Sequence, residues 1–135
     1  PPENVALIGL RSVDPGEREL IRRLGLCVFT IADVDRWGIY QVMERALRHL
    51  SPRSGQLHVS LDVDVVDPMM APGVGTPVSG GMTIRETHLA LELIAQGGTL
   101  GSMEVVEVNA LRDHANQTGC LAVDFILSAF GKTIL

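Results

Sequence analysis

The segment "HVSLDVDVVDP", residues 58–68, reads as a buried apolar strand except that it carries Asp62, Asp64 and Asp67. With Leu57 in front, the run over 57–64 has strand character, and it leads into "DPMMAPGVGTPVSGG" (67–81), a loop too rich in Gly and Pro to form an element. Upstream, "VALIGL" (5–10) is a compact β-rich run. It is followed by "DPGERELIRRLG" (14–25), a helix with Asp14 at the N-cap, Pro15 at the first helical position, Glu17 completing an Asp-x-x-Glu cap and Gly25 as the stop. The pair then repeats. "CVFTI" (27–31) is a second strand and "GIYQVMERALRHL" (38–50) an amphipathic helix, with Val42, Ala46 and Leu50 on one side and Glu44, Arg45 and Arg48 largely off it. Downstream, "TIRETHLALELIAQ" (83–96) opens with Thr83 and Glu86 in capping-box spacing, "LGSMEVVEVN" (100–109) is a fourth strand, and "GCLAVDFILSAFG" (119–131) is an apolar helix. Strands alternating with helices predict an α/β fold: a mostly parallel sheet with helices on both faces.

Composition narrows the functional classes. A chain of 135 residues, 46% hydrophobic, can bury one core, as a single domain or a piece of one. Its formal net charge of -5 without a basic cluster argues against nucleic acid, and no apolar run reaches the length of a membrane span, so the expected partner is a small molecule. Cys27 and Cys120 stand in apolar settings, which predicts reduced core thiols in a cytoplasmic protein. The chain opens Pro1-Pro2 with neither a starting Met nor a signal peptide, so further sequence is expected upstream.

In open parallel sheets, ligands bind beyond the carboxyl ends of the strands, which directs attention to three acidic sites. Asp62 and Asp64, two apart in a strand, would share a face with Cα atoms roughly 6.6 Å apart and could converge on one cation or a close pair. Two unpaired carboxylates at a buried strand end repel each other and resist ionisation, and a divalent metal relieves both costs. His58 lies on the same face but about 13 Å back along the strand, too far to share that metal, and reads as a core or outer-shell histidine. Glu107, near the end of the fourth strand, could bind a planar guanidinium bidentately or simply pair with an arginine; the two readings weigh equally. Asp14 is already explained as a cap. His49 at a helix end, His88 within a helix and His114 in the polar loop "RDHANQTG" have structural readings. "GVGTPVSGG" lacks phosphate-loop spacing, and the only lysine is Lys132.

Two family resemblances compete for Asp62 and Asp64. "LDVDVV" by itself looks like the Asp-x-Asp-x-Val signature of haloacid-dehalogenase-type phosphatases, whose further lysine has only Lys132 as a candidate here. The longer string "SLDVDVVDPMMAPGVGTPVSGGMTIRE", with "VEVN" and "IGLRSVDPGE", resembles the arginase family of ureohydrolases from about Val5 to the C-terminus. "LRSVDPGE" and "RDHANQTG" look more like bacterial arginases than like agmatinases.

That resemblance implies a three-layer α/β/α fold, incomplete here, with residues 1–135 as the C-terminal portion of one domain. It implies hydrolysis of L-arginine to L-ornithine and urea by hydroxide activated at a pair of Mn²⁺ ions. Asp62 would bridge the ions, Asp64 would ligate one of them, Glu107 would face the substrate guanidinium, Thr76 would line that end of the pocket, and Asp14 would meet the α-amino group that agmatine lacks. Arg85 and Glu86 resemble positions at subunit contacts of trimeric or hexameric relatives, with helix-surface ion pairing as the plain alternative. The family's histidine ligand, Asp-Ala-His-x-Asp cluster and proton-shuttling histidine do not occur in these residues, so the chain alone is expected to bind Mn²⁺ weakly and to be inactive. Val65 and Val66 replace the family's usual Gly-Leu, and Ala110 stands where proline follows "EVN". Agmatinase or another guanidino hydrolase, and a non-catalytic or assembly fragment, are the remaining alternatives.

Overall fold

A computed structural model describes residues 1–50 and 55–134, and these fall into two compact units, Pro1–Gly55 and Gln56–Leu135. In the first, a 3₁₀ turn at Pro2–Asn4 precedes β1 (Ala6–Leu10), α1 (Pro15–Leu24), β2 (Cys27–Thr30) and α2 (Ile31–Leu50). β1 and β2 pair in parallel, Ala6 with Cys27 and Ile8 with Phe29. The register slips between Ile8 and Leu10, where Gly9 takes a φ of 81°. α1 forms where its capping box predicts, and Gly25 ends it in the left-handed region at φ 62°. α2 packs on both strands through Val34, Ile39, Val42, Met43 and Ala46, all buried.

α2 is two helices joined across a kink at Gly38, where the backbone leaves helical geometry with φ 75° and ψ 152°. The helix expected over 38–50 starts at this break, and a further helical stretch from Ile31 precedes it. The start of that stretch follows from Thr30 and Asp33: the Asp33 Oδ2 accepts from the Thr30 amide at 2.8 Å and from its hydroxyl at 2.7 Å. These bonds hold the Asp33 carboxyl below its usual range. Trp37, just before the break, meets Phe29 edge-on at 6.5 Å and carries the Arg45 guanidinium over its ring at 4.1 Å.

The second unit holds β3 (Leu57–Asp62), a 3₁₀ turn at Val63–Val65, α3 (Ile84–Gln96), β4 (Leu100–Val106) and α4 (Gln117–Ala129). β3 and β4 pair in parallel, with Ser60 opposite Glu104 and Asp62 opposite Val106. Both strands are shorter than predicted: β3 stops at Asp62 and β4 at Val106, leaving Asp64 in the 3₁₀ turn and Glu107 just past its strand. α3 starts at its Thr83–Glu86 capping box as predicted, and α4 starts at Gln117, two residues ahead of Gly119. The two helices pack together around Leu91, Ile94, Leu121, Phe125 and Ala129. His88 is built into this seam, 2.8 Å from the Ser128 hydroxyl and edge-on to Phe125 at 4.9 Å.

The cysteine expectation holds only in part. Cys27 is half-buried, with its thiol pushed up by burial, but Cys120 is exposed. α4 turns Thr118, Leu121, Ala122 and Phe125 into the core, and that periodicity puts position 120 outside. No helix among the described residues is long and apolar enough to cross a membrane.

Candidate metal centre

Asp62 is the last residue of β3, and its half-buried carboxylate accepts the Asp64 amide through Oδ1 at 3.0 Å. That bond caps the 3₁₀ turn and ends the strand, so Asp64 reaches the site by a turn and not by the alternation of a pleat. The side chains still converge: the Thr76 hydroxyl donates to Asp64 Oδ2 at 3.1 Å. Glu107 follows β4 in the left-handed region at φ 65°, an uncommon conformation for a residue with a Cβ. It is held there because Val108 bridges antiparallel to Val74 and the Asn109 amide donates to Gly73 O at 2.7 Å. Glu107 lies against the Thr76 loop so closely that a Cβ on Gly75 would fall 2.9 Å from its Oε2.

The electrostatics are those of crowded anions. Burial pushes the Asp62 carboxyl above its ordinary range; the Asp64 amide opposes this, and the Asp64 and Glu107 carboxylates add to it. Among the described residues no Lys or Arg forms an ion pair with Asp62 or Glu107. No group of three or more His, Cys, Asp or Glu side chains among the described residues is arranged to hold a metal. The oxygen donors of Asp62 and Asp64 nevertheless suit a hard divalent cation, and a partly desolvated carboxylate beside two like charges is an environment that a cation stabilises.

Asp67, the third aspartate of the opening segment, has an organising role that its sequence position did not reveal. Its Oδ1 accepts the Met69 amide at 2.9 Å and its Oδ2 the Gly80 and Gly81 amides at 2.8 and 3.3 Å. Its own amide donates to Met82 O at 3.0 Å, while the Met82 amide donates to Val65 O at 2.8 Å. Gly81 is required at this closure, since a Cβ there would sit 2.6 Å from Asp67 N and Val65 O. Val66, at the position of the family's leucine, is buried and bridges to Met82. The loop over 67–81 is thus pinned at its two ends.

The other candidates have partners of their own. Asp14 caps α1 in the first unit, accepting the Glu17 amide at 2.9 Å and donating its own amide to Glu17 Oε2 at 3.0 Å. His58 is exposed and not in a core: its Nδ1 lies 2.8 Å from the Ser102 hydroxyl and its Nε2 3.7 Å from Glu104 Oε1. The side chains of β3 alternate, and Leu61, not His58, faces the buried side. Arg85 pairs with Glu92 through two nitrogens, and Glu86 closes the cap with Thr83. Lys132 lies 3.4 Å from Asp124. Sequence reasoning also passed over Asp113, Thr118 and Gly73, whose only local signal is a polar loop just before a helix.

Comparison with known proteins agrees with the longer of the two resemblances. The family model described as "Arginase family" matches residues 1–131. The arginase of Bacillus subtilis is 49% identical over 134 residues, covering 99% of this chain and 45% of the relative. A solved structure of that enzyme matches with a TM-score of 0.96 at 48% identity, over 99% of this chain and 48% of the other. Arginase from Bacillus caldovelox matches with a TM-score of 0.97 at 47% identity, over 99% of this chain and 45% of the other. The chain therefore spans about 45% of the length of the curated relatives it matches. The phosphatase reading of "LDVDVV" loses its support, because the match extends through the loop, Glu107 and α4 and not through that hexapeptide alone. With the α/β fold and almost every residue matched, this chain belongs to the arginase family.

Proposed function

We propose that the chain is part of a manganese-dependent enzyme that hydrolyses L-arginine to L-ornithine and urea. The observation that carries this reading is the convergence of Asp62, Asp64 and Glu107 beside the Thr76 loop, where no described basic residue pairs with Asp62 or Glu107. Asp62 and Asp64 would hold the metal, with the remaining ligands supplied from outside the described residues. A pair of Mn²⁺ ions supplies Lewis acidity and the activation of water at neutral pH.

This chain's own residues do the rest. Glu107 takes the guanidinium as a bidentate partner, its carboxylate aimed by a left-handed backbone that the flanking bridge enforces. Thr76, on the adjoining loop, lines that end of the pocket and orients Asp64 through its hydroxyl. Asp14 meets the α-amino group, which selects arginine over agmatine. The two compact units are portions of a single domain, the complete enzyme is a cytoplasmic homo-oligomer, trimeric or hexameric, and the 135 residues alone are inactive.

The test is urea release from L-arginine and from agmatine, with and without Mn²⁺, by a protein carrying this chain together with the remainder of a full-length relative. Mn²⁺-dependent urea from L-arginine, abolished by Asp62→Ala with Asp64→Ala and accompanied by loss of bound Mn²⁺, is the expected result. Undiminished urea release from that double variant would overturn the reading. A preference for agmatine would move the assignment to another guanidino substrate.

A further inference from the structure

The loop carrying Thr76 is tied to α4 as well as to the 3₁₀ turn after β3. Gly73, buried at the centre of the loop, donates its amide to the Thr118 hydroxyl at 2.8 Å and accepts the Asn109 amide at its carbonyl at 2.7 Å. Both backbone groups of one glycine thus join the start of α4 to the turn that follows Glu107. Two residues on, Gly75 lies under the Glu107 carboxylate, and Thr76 donates to Asp64. Gln117 adds a second tie, its Nε2 donating to Met70 O at 2.6 Å.

Asp113 braces this junction. Asn116, at the N-cap of α4, is left-handed at φ 58° and makes no capping bond, so Asp113 caps the helix instead. Its Oδ1 accepts the Thr118 and His114 amides at 3.0 and 2.9 Å, and its Oδ2 accepts the Gly119 amide at 3.1 Å. Its side chain also presses on Gly73, where a Cβ would fall 2.6 Å from Asp113 Cβ and Cγ. Burial alone would raise the Asp113 carboxyl, but the donors from Thr118, Gly119 and His114 outweigh it and hold the group below its ordinary range. Thr118 itself is fully buried on the apolar side of α4, where a valine would pack equally well and only the hydrogen bonds justify a hydroxyl.

We propose that Thr118, braced by Asp113, is a positioning residue for the guanidinium end of the site, holding Gly73 so that Thr76 and Glu107 keep their places beside Asp62 and Asp64. This rests on the function proposed above. Thr118 touches no reacting atom; it acts through Gly73, by setting the separation between the Thr76 loop and the turn at Glu107.

The experiment uses the full-length protein carrying this chain, with Mn²⁺, and compares Thr118→Val, Thr118→Ser and a packing control, Phe125→Leu. Thr118→Val is expected to raise KM for the guanidino substrate roughly tenfold, the scale of one lost buried hydrogen bond, with the Mn²⁺ concentration for half-activation unchanged. Thr118→Ser restores KM to near wild type, and Phe125→Leu lowers Tm without moving KM. If Thr118→Val does not fold, Asp113→Asn takes its place, since it keeps the shape but loses the acceptor for the Gly119 amide. A Thr118→Val or Asp113→Asn protein with lowered Tm and unchanged KM overturns the proposal.

Should the wild-type protein hydrolyse no guanidino substrate, the functional reading fails, and amide hydrogen exchange decides the link by itself. Faster exchange at Gly73 and Asn109 than in β3 of Thr118→Val, relative to wild type, supports the tie. Equal changes throughout overturn it.

Discussion

Asp62 shows how a single side chain can work against the fold it belongs to. Its carboxyl is raised by burial and by the charges of Asp64 and Glu107, so the folded state holds a proton that the unfolded chain has already released. Stability from this group is therefore fully present below the ordinary carboxylate range and is lost as pH rises through the raised value. Asp62→Asn is expected to stabilise the metal-free protein at neutral pH and to flatten this part of its pH profile, while removing any Mn²⁺-dependent gain in Tm. Thermal unfolding in chelator between about pH 4 and pH 8 checks this, and a variant less stable than wild type at neutral pH would contradict it. Glu107 bears a different cost, the left-handed backbone at φ 65°. Glu107→Gly should raise stability by about 1 kcal/mol in urea denaturation yet abolish activity, whereas Glu107→Gln keeps the strain and loses only the charge. Asp62 and Asp64 were legible as a pair because they stand at the end of an apolar run. The left-handed turn at Glu107 was not, since nothing in "VEVN" marks it as other than a continuing strand.

Among the elements, those with local punctuation were readable and those without it were not. α1 and α3 start where Asp14 with Glu17, and Thr83 with Glu86, form reciprocal caps, and such caps involve only residues three apart. Thr83→Ala should lower stability by about 1 kcal/mol in chemical denaturation, through the lost bond to the Glu86 amide. In α2 the sequence marks the helix that starts at the Gly38 break but not the helical stretch from Ile31 that precedes it. The Gly38 φ of 75° with ψ of 152° is accessible essentially to glycine alone, so Gly38→Ala should cost about 1–3 kcal/mol by the same measurement. A smaller loss would mean that the break relaxes without cost. α4 is unusual in taking its cap from Asp113, ahead of the left-handed pair Ala115 and Asn116, an arrangement with no short-range sequence signature.

On the scale of the whole molecule, the described residues form two two-stranded parallel sheets, β1 with β2 and β3 with β4, in separate units. Sheets of two strands are marginal by themselves, and the relatives are more than twice as long as this chain. The 135 residues expressed alone are therefore expected to unfold with low cooperativity, to bind Mn²⁺ weakly and to release no urea. Calorimetry, Mn²⁺ titration and a urea assay on a sample of verified mass check all three, and robust urea production would refute the inactivity outright. The sequence by itself determined the alternation of strands and helices, the capped starts of α1 and α3, and the place of Asp62 at a strand end, because each depends on hydrophobic period or on groups a few residues apart. Only the tertiary structure decided that Thr76 would reach Asp64, that Glu107 would turn left-handed against Gly75, and that Gly73 would join Asn109 to Thr118. These outcomes come from bonds between residues 12 to 45 positions apart, whose combined free energy overrides the local preference of each segment.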